Sequence, residues 1–155
     1  MYMEYDIAII GGGPAGYTAA ERASENGLKT ILFEKNAIGG VCLNEGCIPT
    51  KTLLYSAKIL DSIKSASKYG IVAMKDPSFD LAKIIDRKNK TVRKLTLGVK
   101  ARLTGNGVTI VEGEARITGE EFGNIRIHCD GKEYLVKNVL AVSYTHLTLP
   151  TICSV

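Results

Sequence analysis

The sequence predicts an α/β domain built on a parallel sheet, and three observations carry that prediction. Residues 5–10, Tyr5-Asp6-Ile7-Ala8-Ile9-Ile10, form a mostly apolar run that passes directly into the turn Gly11-Gly12-Gly13-Pro14-Ala15-Gly16. Residues 17–26 then place Ala19, Ala20 and Ala23 at helical intervals. A second apolar run, residues 29–34, ends in the acid Glu34. Strand, glycine turn, helix and second strand in that order are the parts of a nucleotide-binding βαβ unit.

Each part has a physical duty. A continuous β-branched run suits a parallel strand buried on both faces. Gly11 permits the tight turn out of that strand, and Gly13 lets backbone N–H groups approach a pyrophosphate. Gly16 lets the helix pack close on the sheet, with its positive N-terminal end toward the phosphate charge. Pro14 and Ala15 lie between those glycines and complete the candidate cofactor loop. Gly27 is well placed to end the helix. Glu34, eighteen residues after Gly16, can accept hydrogen bonds from ribose hydroxyls and repels a 2′-phosphate, which disfavours an NADP-type ligand. The loop by itself does not separate FAD from NAD.

The next run is Gly39-Gly40-Val41-Cys42-Leu43-Asn44-Glu45-Gly46-Cys47-Ile48-Pro49-Thr50-Lys51. It contains no histidine, and no second cysteine pair stands nearby to complete a metal site. Five residues of ideal helix rise about 7.5 Å, whereas a disulfide needs Cα atoms roughly 4.4–6.8 Å apart. A bridge here would require an irregular turn, which Gly40 and Gly46 permit. Such a bond should be more reducible than a structural staple. On spacing alone, two unrelated buried thiols or metal ligands remain open beside a redox pair. A dithiol relay placed so soon after the ribose acid would lie along an extended flavin, which favours FAD.

The glycine-rich opening, Glu34-Lys35 and the run 39–51 together resemble the flavoprotein disulfide reductases. Within them, Cys42-Leu43-Asn44-Glu45-Gly46-Cys47-Ile48-Pro49-Thr50-Lys51 is most similar to the dihydrolipoamide dehydrogenases. Glutathione and mercuric reductases usually carry valines where Leu43 and Ile48 stand, and glutathione reductases a second lysine in place of Thr50. The resemblance covers residues 3 to about 141. It implies a Rossmann-like FAD-binding domain with a parallel sheet, long helices and a small β-meander, truncated relative to the family.

It also implies the chemistry. Cys42 and Cys47 would form the redox disulfide, with Cys42 exchanging with dihydrolipoamide and Cys47 lying against the flavin as a thiolate. Electrons would pass through the flavin to NAD⁺. A helix N-terminus beside a cationic lysine would lower the thiol pKa, and Lys51 would reach toward the flavin ring. Lys35 and Gly40 would join the cofactor cradle, and Gly113-Glu114-Ala115 would pass the adenine end, with Gly113 and Ala115 in backbone contact. The implied partner is the lipoyl domain of a 2-oxo-acid dehydrogenase or glycine cleavage complex, served by a homodimer of the full-length protein. Another disulfide reductase of mercuric or glutathione type, or an FAD-binding module without catalysis, are the alternatives.

Further along, residues 48–70 read as a helix with Leu53, Leu54, Ala57, Leu60 and Ile63 as its apolar stripe. A second helix starts at Phe79-Asp80-Leu81 and runs to about Leu103, decorated by lysines and arginines. Gly105-Asn106-Gly107 signals a turn. Residues 108–111, 125–129, 134–136 and 139–141 read as strands. The formal net charge of +4 sits mostly on the second helix without interleaved aromatics, which reads as a solvated face and not a nucleic-acid surface. His128 and His146 stand near no ligand constellation, and Cys129 reads as a small core residue. No apolar run approaches a membrane span and no signal peptide precedes Met3, so the expected setting is cytoplasmic.

At 155 residues the chain is about one domain: residues 1–141 as the FAD-binding domain with its disulfide, incomplete. The family continues into an NAD-binding domain and a dimerisation domain whose His–Glu pair handles protons, so neither is expected here. Residues 142–155, beginning Val142-Ser143-Tyr144-Thr145-His146, leave the family pattern and resemble the in-frame translation of a sequencing-library adapter. They are expected to be a non-native tail, Cys153 included.

Overall fold

The two apolar runs at the start of the chain pair as parallel neighbours. β1 (Met3–Ile10) lies beside β2 (Thr30–Glu34), with Ile7 opposite Thr30 and Ile10 opposite Phe33. The structure is a computed structural model that describes residues 3–72 and 76–143. Every residue of β2 is buried, the condition of a parallel strand covered on both faces. Between the two strands, α1 (Pro14–Glu25) starts earlier than the alanine spacing suggests, because a proline at its first position is already set for helical φ. Gly27, at φ +81°, takes the left-handed conformation that closes the helix.

The six strands form one sheet in the order β3-β2-β1-β6-β5-β4. β3 (Thr109–Glu112) extends the parallel half beside β2, and β6 (Lys132–Ala141) lies parallel to β1 on its other side. β6 also pairs antiparallel with β5 (Asn124–Cys129), which pairs antiparallel with β4 (Arg116–Glu121). Those last three strands are the expected meander. Asp130 and Gly131, at φ +48° and +75°, make the tight turn between β5 and β6, as an Asp-Gly pair does in a two-residue hairpin.

Two strand readings are corrected. β4 is absent from the sequence reading because five of its six residues are exposed, which leaves no alternation to detect. The two short strands read at 134–136 and 139–141 are one continuous β6. Its polar centre has a reason: Lys137 Nζ donates to Asp6 Oδ1 at 2.7 Å, and Asn138 Nδ2 donates to the Asp6 carbonyl at 3.2 Å.

Sheet alternation sends side chains to two cores. Ala8, Ile31 and Phe33 pack with Tyr134, Val136 and Ile127 on one face. Ile9 and Leu32 pack with Ala20, Ile38, Leu103 and Val108 on the other. Cys129 is buried in the first core.

The helix read over 48–70 is shorter. α2 (Gly40–Asn44) precedes it, α3 (Cys47–Lys64) ends before Ser65, and a 3₁₀ turn (Ala66–Tyr69) closes on Gly70 at φ +75°. Its apolar stripe is not buried among the described residues: Leu54 is 62% exposed and Ile63 37%. α3 meets α4 (Leu81–Gly105) through a polar seam instead, where Arg87 donates to the Thr52 carbonyl and to Ser56 Oγ. Asp80 caps α4 by accepting the Lys83 amide at 3.1 Å.

Asp6 ties three strands together, since it also accepts the Lys29 amide at 2.9 Å. The Lys137 hydrogen bond first, then the Lys29 amide, hold its carboxyl below the ordinary value of 3.8. A carboxyl lowered in the folded state stabilises the fold above its unfolded value and loses that contribution as pH falls through the folded value. The stability advantage of wild type over Asp6→Asn should therefore be constant near neutral pH and shrink below about pH 4. Urea midpoints measured across that range check it; a gap that stays flat to pH 2 contradicts the assignment.

Candidate functional site

All four parallel strands end on one side of the sheet, where α/β folds build their sites. There the chain leaves β1 through Gly11, whose φ of +109° suits only glycine. A Cβ on Gly11 would also meet Ser143 Cα and the Val142 carbonyl at 2.8 Å. Gly16 faces inward, and a Cβ there would fall on the Gly11 carbonyl. Gly13 is the opposite case, since nothing lies within 4 Å of where its Cβ would stand. Helix geometry leaves the first-turn amides of α1 without intrahelical acceptors, and these are the donors a dinucleotide's phosphates require.

Glu34 ends β2 beneath this loop and is only 9% exposed. Its Oε2 accepts the Gly12 amide at 2.7 Å and its Oε1 the Asn36 amide at 2.8 Å. The acid thus braces the loop, a duty that the sequence reading did not assign. The same contact leaves little room at Gly12, whose Cβ would stand 3.0 Å from Glu34 Cβ.

The cysteine segment docks on the same loop. Gly39 donates its amide to the Gly12 carbonyl at 2.8 Å, and Gly40, at φ +59°, would press a Cβ to 2.7 Å from Gly13 Cα. Cys42 lies within α2 and Cys47 begins α3. The irregular stretch that a bridge at this spacing requires is the break between the two helices at Glu45 and Gly46, where Gly46 donates to the Val41 carbonyl at 2.7 Å. The two sulfurs are paired as a disulfide, with Cα atoms 4.7 Å apart. Cys47 is exposed and Cys42 half-buried.

A cleft of about 660 Å³ runs along these parts, within the roughly 300–1,000 Å³ typical of ligand sites. Gly11, Gly13, Pro14 and Ala15 line it with Glu34, Lys35, Gly40, Cys42, Cys47, Gly113 and Ala115. Two residues of the sequence reading stand outside the lining: Gly16 lies behind the loop, and Lys51 is exposed on α3. Gly113 donates its amide to the Glu34 carbonyl at 2.9 Å, and a Cβ on it would meet Cys129 Sγ at 2.6 Å. Glu114, also on the wall, has its carboxyl held below the usual value by Arg116, with a smaller contribution from Lys35.

Asn36, Asn44 and the pair Val142 and Ser143 also line the cleft, and none of them was expected there from the sequence. Asn44 stood inside the cysteine run; Asn36 carried no signal. Val142 continues β6 over the glycine turn, donating its amide to the Ile10 carbonyl at 2.8 Å. The expected tail from Tyr144 onward lies outside the described residues. Among the described residues, no group of three or more His, Cys, Asp or Glu is placed to hold a metal, and no helix is long and apolar enough to cross a membrane.

Residues 5–142 match the family described as pyridine nucleotide-disulphide oxidoreductase. The chain is 40% identical to the dihydrolipoyl dehydrogenase of Acholeplasma laidlawii over 156 aligned residues, which is 98% of this chain and 44% of the relative. It is 41% identical to that of Mycoplasma genitalium, over 96% of this chain and 32% of the relative. Among solved structures, LpdA from Mycobacterium tuberculosis superposes with a TM-score of 0.77 at 26% identity, over 90% of this chain and 31% of that one. The chain thus spans less than half the length of these relatives.

The two faces of the glycine loop should respond differently to one added methyl. Gly16→Ala forces a Cβ onto backbone and should cost about 1–3 kcal/mol of folding stability. Gly13→Ala points into open space and should change stability by no more than ~0.5 kcal/mol. Urea denaturation of both variants checks the contrast.

Proposed function

The chain belongs to the pyridine nucleotide-disulphide oxidoreductase family, and from that premise we propose that it is the FAD-cradling, disulfide-bearing part of a dihydrolipoyl dehydrogenase. The observation that carries the reading is that both cysteines line the same cleft as the glycine loop and Glu34. Residues 1–141 are the FAD-binding domain in this reading, and 142–155 the foreign tail. The activity is that of the whole protein: reoxidation of dihydrolipoamide on a lipoyl domain, with hydride passed to NAD⁺ and a homodimer as the working form, in the cytoplasm.

The residues present fit FAD. First-turn amides of α1, at Ala15 and Gly16, would hold the pyrophosphate, and the open space at Gly13 would admit it. Each Glu34 oxygen already holds one backbone amide, and a carboxylate has acceptor sites left for ribose hydroxyls. Gly113 and Ala115, which line the cleft, would receive the adenine end, and Lys35 and Gly40 would close the cradle. When bound, the flavin would supply a two-electron acceptor.

The protein's own step is thiol–disulfide exchange. A substrate thiolate attacks Cys42 Sγ, the Cys42–Cys47 bond breaks, and Cys47 leaves as a thiolate. The second substrate thiol then displaces Cys42, so the substrate closes its disulfide and both protein sulfurs are reduced by two electrons in total. Cys47 stands at the N-terminal end of α3, whose dipole favours the thiolate. Lys51, one turn on, adds positive charge.

Purified chain incubated with FAD and mildly reduced should show a long-wavelength charge-transfer band that disappears in Cys47→Ser. Protein that takes up no FAD sinks the reading. Reduced chain should be reoxidised faster by lipoamide than by glutathione disulfide; the reverse order points to another reductase of the family. Gly13→Ala should weaken FAD binding at least tenfold by equilibrium titration.

A further inference from the structure

Asn44 lies between the two cysteines and spends its whole side chain on neighbours. Its Nδ2 donates to the Ile38 carbonyl at 3.1 Å and the Gly40 carbonyl at 2.9 Å. Its Oδ1 accepts the Thr96 hydroxyl at 3.3 Å. Two carbonyls and a hydroxyl that donates are a partner set that suits an amide, which offers two donors and an acceptor at one carbon. Thr96 is unusual on its side. The hydroxyls of Thr52, Thr91 and Thr104 each donate to the carbonyl four residues back in their own helix, whereas that of Thr96 turns away to another element.

α2 has five residues, fewer than a helix needs to hold itself. In the oxidised chain the sulfur–sulfur bond ties it to α3. In the dithiol chain that tie is gone, and the position of Cys42 depends on what else grips α2. Asn44 closes α2 onto the turn that leads into it, and Thr96 anchors Asn44 to the 25-residue α4. We propose that Asn44, clamped by Thr96, is a positioning residue that keeps Cys42 within reach of Cys47 whenever the disulfide is open. The inference rests on the reading above that this pair cycles.

Releasing the clamp lowers the effective concentration of one thiol at the other and so makes the disulfide easier to reduce. The equilibrium to follow is protein disulfide plus two glutathione thiols going to protein dithiol plus glutathione disulfide. One sulfur–sulfur bond breaks and one forms, and two electrons and two protons pass to the protein. The full chain and its variants are equilibrated in glutathione redox buffers, alkylated and digested, and the peptides carrying Cys42 and Cys47 are counted by mass, which keeps Cys129 and Cys153 out of the readout.

Asn44→Ala and Thr96→Val should each shift the constant about tenfold toward the dithiol, ~30 mV for a two-electron couple. Thr96→Ser should restore the wild-type value, and the Asn44→Ala/Thr96→Val double variant should be no worse than Asn44→Ala alone, since the two act through one contact. Asn44→Asp, which sets an oxygen against two carbonyls, should be the most affected. If wild type cycles and both Asn44→Ala and Thr96→Val stay within twofold of it, the inference is overturned. Should Asn44→Ala fail to fold, Thr96→Val against Thr96→Ser decides, and equal constants overturn it. A wild-type pair that never cycles overturns the redox reading, and this inference with it.

Discussion

Two glycine turns in direct contact set the geometry of everything else at the site. Gly40 can lie against Gly13 only because Gly40 carries no side chain there, and the Gly39 amide closes the approach on the Gly12 carbonyl. Glu34 grips the same loop from below through the Gly12 amide. Three segments remote in sequence thereby converge on one turn of backbone. The place of the disulfide follows from the place of the loop, since α2 and α3 grow outward from that contact. A side chain at Gly40 would push the cysteine segment off Gly13, and one at Gly16 would collide with the Gly11 carbonyl inside the turn itself.

The surroundings contribute less specific forces. The sheet gains from apolar burial on both faces, with Phe33 edge-on to Tyr134 at 5.2 Å between centroids, a geometry aromatic rings favour. The basic helix α4 is joined to acids along its length, Lys90 to Asp86, Lys100 to Glu112 and Arg102 to Glu21. Each such surface pair contributes roughly 0–1 kcal/mol; Lys90–Asp86 lies within α4, and the pairs to Glu112 and Glu21 orient the helix more than they stabilise it. Its firmer attachments are Arg87 on Thr52 and Ser56, and Leu103 in the core.

Legibility in the sequence tracked how local each signal was. β1, the glycine turn, α1 and β2 are read within thirty residues, because periodicity and turn chemistry are local properties. The cysteine run is legible as a motif, yet its break into two helices depends on Gly46 and the Val41 carbonyl, which spacing only hints at. β4 was invisible because its residues face solvent. β6 looked like two strands because Lys137 and Asn138 serve Asp6, 131 and 132 residues away. The double duty of Glu34 was hidden for the same reason: a carboxylate's partners are set by the fold, and its position in a motif names only one of them.

The order of strands carries a consequence for how the chain is made. β1, synthesised before the other five strands, sits at the centre of the sheet between β2 and β6. β2 arrives soon after it, but the partner for the other edge is the last strand of the sheet, Lys132–Ala141. At translation rates of roughly 5–20 residues per second, that edge stays open for on the order of ten seconds. During that interval the hydrogen-bonding groups of a strongly apolar strand face the crowded ribosome exit region. β4, β5 and β6 pair with near neighbours in sequence and can assemble quickly as a unit. Closure of the nascent sheet is then a single late docking event, in which a finished meander seats its inner edge against a strand made more than a hundred residues earlier.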